Sequence, residues 1–274
     1  MAWTILNAIT RLFDAILYPF RSLDPLVGLV AVSIVTGVVM LIIFGKTTNQ
    51  AALKRVKGSI VASIIEIWLF KDRPGLMFGA AARVLRHNVN YLRYSLVAVI
   101  FIFVPVVLIM VQLGIRYGHR PLKPNDEVMV SATLAPGTSA VGADLSLVVP
   151  EGLEVTTPPL RIEEDREVDW MLKAHEPGTY EIRVKGSNTE ASKRVMAENS
   201  IIPMAPVRSK AMSWDFFLYP AEKPLPKGSA IESIRISYPA AGPDFIGLPF
   251  WMWIFFVVSI AAGFALKGVF KVEV

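Results

Sequence analysis

The sequence predicts a membrane α-helical protein that carries an all-β sandwich outside the membrane. Three observations lead to this class. First, the runs 26–45, 95–115 and 246–266 contain no Asp, Glu, Lys or Arg in their interiors. Each is about the 20 residues that a helix needs to cross a hydrocarbon core of roughly 30 Å. Second, the segment 46–94 between the first two runs carries nine Lys/Arg against two acids, the excess expected of a loop on the cytoplasmic side. Third, residues 121–240 change grammar to short alternating stretches separated by Pro/Gly turns.

The N-terminal residues 1–22 place Trp3, Ile5, Leu6, Ile9, Leu12, Phe13, Ile16 and Leu17 at helical spacing, with Asn7, Thr10, Arg11 and Asp14 on much of the other side. This predicts an amphipathic helix ended by Pro19 and Pro25, lying in the membrane interface or packed on protein. A basic stretch ahead of the apolar one is missing, so no cleavable signal peptide is expected.

With 46–94 inside, the first span runs outside to inside, the second returns, and the third brings Lys267 and Lys271 back to the cytoplasm. The N-terminal helix and residues 116–244 are then outside a cytoplasmic (inner) membrane. The loop itself reads as a helical hairpin. One arm covers Gln50–Phe70, with apolar residues at 53, 56, 60, 64, 67 and 68, and is broken by Lys71–Gly75. The second arm starts at Leu76 and runs directly into the second span. The first arm is apolar enough (Ile60, Val61, Ile64, Ile65, Ile67–Phe70) to lie on the inner leaflet or against its partner arm. Pro105 is expected to kink the second span.

The third run is rich in aromatics at its outer end (Phe250, Trp251, Trp253), like an interfacial belt. Between the second and third spans, strands are expected at 127–134, 143–149, 153–157, 167–174, 179–185, 193–197 and 231–238. About seven such strands indicate an antiparallel sandwich. The stretch Pro177–Val184 resembles a late strand of immunoglobulin-like domains. Residues 199–230 read as irregular and surface-packed.

The chain is 53% hydrophobic with a net charge of +5 and a mean hydropathy of +0.49. The positive charge is local: segment 46–94 carries +7, whereas 116–244 carries −3. It is therefore a topological feature that attracts lipid headgroups, and specific nucleic-acid binding is not expected. No cysteine is present, and His87, His119 and His175 lack metal-ligand spacing. No nucleophile elbow, P-loop or dinucleotide fingerprint occurs. The cluster Glu163, Glu164, Asp165, Glu167 and Asp169 reads as a solvated edge. No enzyme activity, metal or cofactor is expected, and no ionisable residue sits within a span to mark an ion path.

The run Leu12–Phe20, the span 26–45 and its exit Phe44–Arg55 carry a likeness in the order of parts. The chain resembles the shared core of the Oxa1/YidC superfamily, which includes bacterial YidC, archaeal YidC-like proteins and endoplasmic-reticulum homologues. The resemblance covers residues 1–115 and, by topology, 246–274. It implies an insertase or chaperone that assists membrane-protein insertion or assembly. It also implies a polar groove, here lined by Ser33, Thr36, Gln112 and Arg93. The basic hairpin, through Lys46, Lys54, Arg55, Lys57, Arg83 and Arg86, would meet nascent chains or the ribosome. The implied partners are the lipid bilayer and other membrane proteins. A second reading is a non-catalytic accessory or scaffold subunit that binds its partners through the sandwich.

Overall fold

The computed structural model describes residues 2–21, 23–70, 72–187, 189–198 and 202–273. Four helices open the chain: α1 (Ala2–Leu17), α2 (Pro25–Thr47), α3 (Gln50–Leu69) and α4 (Pro74–Tyr117). A 3₁₀ turn, Tyr18–Phe20, follows α1 and contains Pro19. Pro25 and Pro74 occupy first helical positions, where the missing N–H has no intrahelical partner to lose. Asn49 caps α3, its side-chain oxygen accepting from the Ala52 N–H at 3.0 Å, which satisfies one of the helix's unpaired donors.

The break expected at 71–75 is narrower than the sequence suggests. Pro74 and Gly75 are already helical, because proline at a helix start is pre-organised for it. Lys71, assigned to the break, lies outside the described residues. The helix α4 then continues for 44 residues with Pro105 inside it, about 66 Å at 1.5 Å per residue. The second arm of the basic segment and the second apolar run are thus one helix.

The strands are β1 (Glu127–Leu134), β2 (Ser146–Val148), β3 (Leu153–Val155), β4 (Leu160–Ile162), β5 (Glu167–Ala174), β6 (Thr179–Gly186) and β7 (Thr189–Met196). There follow β8 (Val207–Ser209), the short helix α5 (Trp214–Leu218), β9 (Ile231–Ile236), the hairpin β10 (Asp244–Phe245) with β11 (Leu248–Pro249), and α6 (Phe250–Leu266). β4, β8 and α5 fall where the sequence offers only short or irregular stretches. The third apolar run is also divided: Ile246–Pro249 belong to the hairpin, which leaves α6 with 17 residues. Among the described residues, two helices, α2 and α4, are therefore long and apolar enough to cross a membrane, and α6 is a shorter apolar helix.

The chain divides into two compact units, Met1–Gly28 with Met110–Trp251, and Leu29–Ile109 with Met252–Val274. The first holds both larger antiparallel sheets. One runs β3-β5-β1-β9-β8, with β4 also pairing to β5; the other runs β2-β6-β7. Strands β1 and β5 pair from Glu127↔Lys173 to Thr133↔Glu167, which turns Val130, Ala132, Val168, Trp170 and Leu172 to one face. These residues share a buried cluster with Ile182, Val184 and Val195 of the second sheet. Each fully buried aliphatic side chain contributes roughly 1.5–3 kcal/mol relative to exposure. A bulge between Thr133 and Leu134 shifts the β1–β9 register.

Two polar contacts hold the edges of this core. The Tyr238 hydroxyl accepts from the Met196 N–H at 2.9 Å, and its burial pushes the phenol's pKa well above the ordinary value. Below α4, Arg120 donates to Asp126 at 2.6 Å, and the same carboxylate oxygen accepts from the Lys123 N–H at 2.9 Å.

Tyr238→Phe leaves the Met196 N–H buried without its partner, so unfolding in urea should show a loss of about 1–3 kcal/mol with an unchanged slope. Acid should act through Asp126, whose carboxyl is held below its usual range chiefly by Arg120 and next by the Lys123 N–H. The folded-state pKa is depressed, so this contribution is present above the ordinary carboxylate value and fades as pH falls through the folded one. Asp126→Asn should flatten the acid limb of a stability-versus-pH curve below about pH 4, a region best followed by circular dichroism.

Candidate functional site

Two constellations concentrate the unusual chemistry, one in each unit. In the first unit, α1 carries Thr10 and Asp14 one turn apart, and the last turns of α4 carry Gln112 and Arg116 with the same spacing. Residues four apart share a helix face, so the two pairs meet as a polar seam. The Arg116 guanidinium donates to Asp14 Oδ1 at 2.5 Å, to the Thr10 carbonyl at 3.1 Å, and to the Gln112 carbonyl and side-chain oxygen at 2.8 and 2.9 Å. Gln112 Nε2 donates to Thr10 Oγ1 at 3.1 Å, and that hydroxyl donates onward to the Leu6 carbonyl at 3.0 Å. The Arg116 side chain has no exposed surface, against 29% for Asp14.

The outer face of α1 is the reverse. Ile5, Leu12 and Ile16 are exposed while Thr10 is buried. Leu6 and Leu17 are buried beside Thr10, so α1 has apolar side chains on both its inner and its outer face.

A second buried charge lies in the sheets. Lys193 is opposite Ile182 in the β6–β7 register and is fully buried. Its ammonium donates to Glu222 and to the Ala205 carbonyl at 2.6 Å. Burial lowers its pKa, and Glu222 opposes that shift. This contact ties β7 to the loop before β9 and has the character of a structural pair.

The second unit is built around a close crossing of α2 and α6. A Cβ on Gly37 would lie 2.2 Å from the Ser259 carbonyl oxygen, so only glycine permits the approach, as in small-residue crossings between membrane helices. Farther along, a Cβ on Gly45 would meet Val272 at 2.7 Å. The two helices therefore run in the same direction. Beside this crossing is a cavity of about 270 Å³ between α2, α4 and α6, with Thr36, Phe44, Ile102, Val106, Phe256 and Phe264 among its walls.

The expected groove residues fall in both units, Gln112 in the first and Ser33, Thr36 and Arg93 in the second. Ser33 is buried and donates to the Leu29 carbonyl at 2.7 Å; Thr36 lines the cavity but donates to the Val32 carbonyl at 2.7 Å. Both hydroxyls are thereby spent on their own helix. Gln112 is buried in the first unit, bonded to Thr10 and Arg116, and Arg93 is exposed on α4. The hydroxyls of Ser33 and Thr36 thus find acceptors within α2, and the cavity beside Thr36 is apolar.

The basic residues of the expected cytoplasmic contact lie on the surface. Lys46, Lys54, Arg55, Lys57, Arg83 and Arg86 are all exposed. Arg83 pairs with Glu66 at 2.5 Å, and Lys57 lies 3.8 Å from Glu273, exposed pairs of small energetic weight. Interleaved with them are large exposed apolar side chains: Trp68 at 76%, Phe78 at 68% and Leu85 at 69%.

Sequence reasoning missed Arg116, Asp14, Lys193 and Glu222. The signal for the first two was the matched four-residue spacing of Thr10/Asp14 and Gln112/Arg116. Ending the second span at Ile115 hid it by assigning Arg116 to the outer domain. No comparable signal existed for Lys193, whose partner is 29 residues away. No family model, curated protein or solved structure matches the chain.

The Asp14–Arg116 pair is testable by a double-mutant cycle. Arg116→Met should cost about 3–5 kcal/mol by stranding its partners. Asp14→Asn should cost less, since Arg116 keeps three carbonyl-type acceptors. The double variant should be less destabilised than the sum of the two, read from thermal unfolding of the detergent-solubilised protein.

Proposed function

We propose that this chain is an integral membrane protein of the YidC type that shelters apolar segments of other membrane proteins during insertion or assembly. The observation that carries the reading is the arm formed by α3 and the first half of α4. It combines exposed cations with a run of exposed apolar side chains, Trp68, Leu69, Phe78 and Leu85. Apolar surface on this scale marks an interaction site, and the surrounding charge keeps the arm at the headgroup level, as anionic lipids favour.

In this reading α2, α4 and α6 span the membrane. The common direction of α2 and α6 and the opposite one expected of α4 suit three spans. The basic arm and the tail lie in the cytoplasm, and α1 with the β domain lies outside. The exposed Ile5, Leu12 and Ile16 of α1 fit an interfacial helix. At about 25 Å for 17 residues, α6 is short for the hydrocarbon core, which favours local thinning of the bilayer. Thinning lowers the cost of moving a client's flanks inward. The two antiparallel sheets are read as an immunoglobulin-like sandwich. An apolar cavity and spent hydroxyls fit a chaperone for apolar segments better than a channel for polar ones.

One observation favours the accessory-subunit reading: Trp214 of α5 is 84% exposed, beside exposed Met212 and Leu218, a surface suited to a fixed partner.

A photocrosslinking residue placed at Trp68 or Phe78 in the full-length protein should capture newly made membrane proteins of varied mass. It should not capture nascent soluble proteins. Capture of a single stoichiometric partner at these positions would instead support the accessory subunit and reject the chaperone.

A further inference from the structure

We propose that the cavity between α2, α4 and α6 holds an acyl chain of an anionic phospholipid whose phosphate is met by Lys46 and Lys267. This rests on the reading that these helices span a bilayer. The walls exclude a polar occupant. Apart from Thr36 and Ser259 the lining residues are hydrocarbon, thioether, aromatic or glycine. Thr36 donates to Val32, and Ser259 donates to the Phe256 carbonyl at 3.2 Å. No hydroxyl there is left in need of a ligand. An unfilled hydrocarbon-lined space forfeits dispersion contacts along its whole wall, and within a bilayer the filler at hand is an acyl chain.

One end of the cavity is marked by charge. Phe44 of α2 and Phe264 of α6 are the lining residues nearest their helix ends. Because α2 and α6 run in the same direction, these two ends coincide. Lys267 Nζ lies 5.2 Å from the Phe264 ring centroid, and Lys46 follows Phe44 by two residues in the last turn of α2. Neither lysine has a carboxylate within salt-bridge distance among the described residues. The nearby carboxylate of the tail, Glu273, is drawn toward Lys57, and its backbone N–H donates to Gln50 at 2.7 Å. An apolar slot ending in two cations with no salt-bridge partner among the described residues matches a lipid with a hydrocarbon tail and an anionic head. A neutral lipid would satisfy only the slot.

The test is native mass spectrometry of the full-length protein purified in mild detergent and titrated with dioleoyl phosphatidylglycerol or dioleoyl phosphatidylcholine. Phosphatidylglycerol should be retained at least about tenfold better, and Lys46→Gln or Lys267→Gln should each weaken it about fivefold. Ile102→Trp or, as a second filling variant from another helix, Ile260→Trp should abolish retention of both lipids while thermal unfolding stays cooperative. Equal retention of the two lipids, or retention untouched by both filling variants, overturns the proposal. So does a polypeptide crosslinked from position 102 in place of lipid. Release of the protein from membranes by alkaline carbonate would reject the spanning helices themselves. Membrane retention without lipid preference would reject only the lipid site.

Discussion

Arg116 has no exposed side-chain surface, and its charge has to be answered from within the chain. Isolated, a buried guanidinium would cost several kcal/mol. Asp14 supplies the countercharge, and carbonyl oxygens of Thr10 and Gln112 take further protons. These partners come from α1 and α4, so satisfying one side chain fixes how the N-terminal helix lies on the long one. Leu6 and Leu17 are buried on the same side as Thr10, while Ile5, Leu12 and Ile16 stay exposed. The helix thus has an apolar outer surface beside an inner contact that mixes polar and apolar groups.

The same rule organises the apolar helices. Ser33, Thr36, Thr47 and Ser259 all return their hydroxyl protons to carbonyls three or four residues back. With polar demand met inside each helix, what remains for contact between helices is shape. Glycine at 37 sets the closest approach, and the space beside the crossing stays apolar. In the sheets, by contrast, polar demand is met across long loops, as Lys193 and Glu222 show. One chain therefore answers its buried polar groups locally in the helices and at long range in the β region.

The proposed chaperone role rests on where apolar surface is left over. Burial in the sheets is thorough, with Trp170, Leu172, Ile182 and Ile234 almost completely covered. On α3 and the first half of α4, large apolar residues stay exposed among lysines and arginines. Under the proposed function, this uncovered arm meets a lipid surface, a client segment or both, while the β core is buried within the chain.

Much of the architecture was legible because it rests on periodicity and on charge-free length. The strands 127–134 and 167–174 alternate cleanly, and the runs 26–45 and 95–115 are long enough to stand out. The shorter strands were less legible, since three residues such as Val207–Ser209 carry no periodic signal and are held by pairing to β9. The limits of α4 and α6 were obscured for a related reason. Composition cannot show that Pro74 starts a helix or that Ile246–Pro249 fold into a hairpin. At the candidate site, the sequence by itself determined which residue types were present: four-spaced polar pairs, hydroxyls in apolar runs, and a cation-rich arm. Only the tertiary structure decided that Gln112 serves Arg116, and that Thr36 faces an apolar cavity while bonding its own helix. A hydrogen-bonding group's partner depends on what lies within about 3 Å of it, and that distance is set by chain segments as far apart as residues 14 and 116.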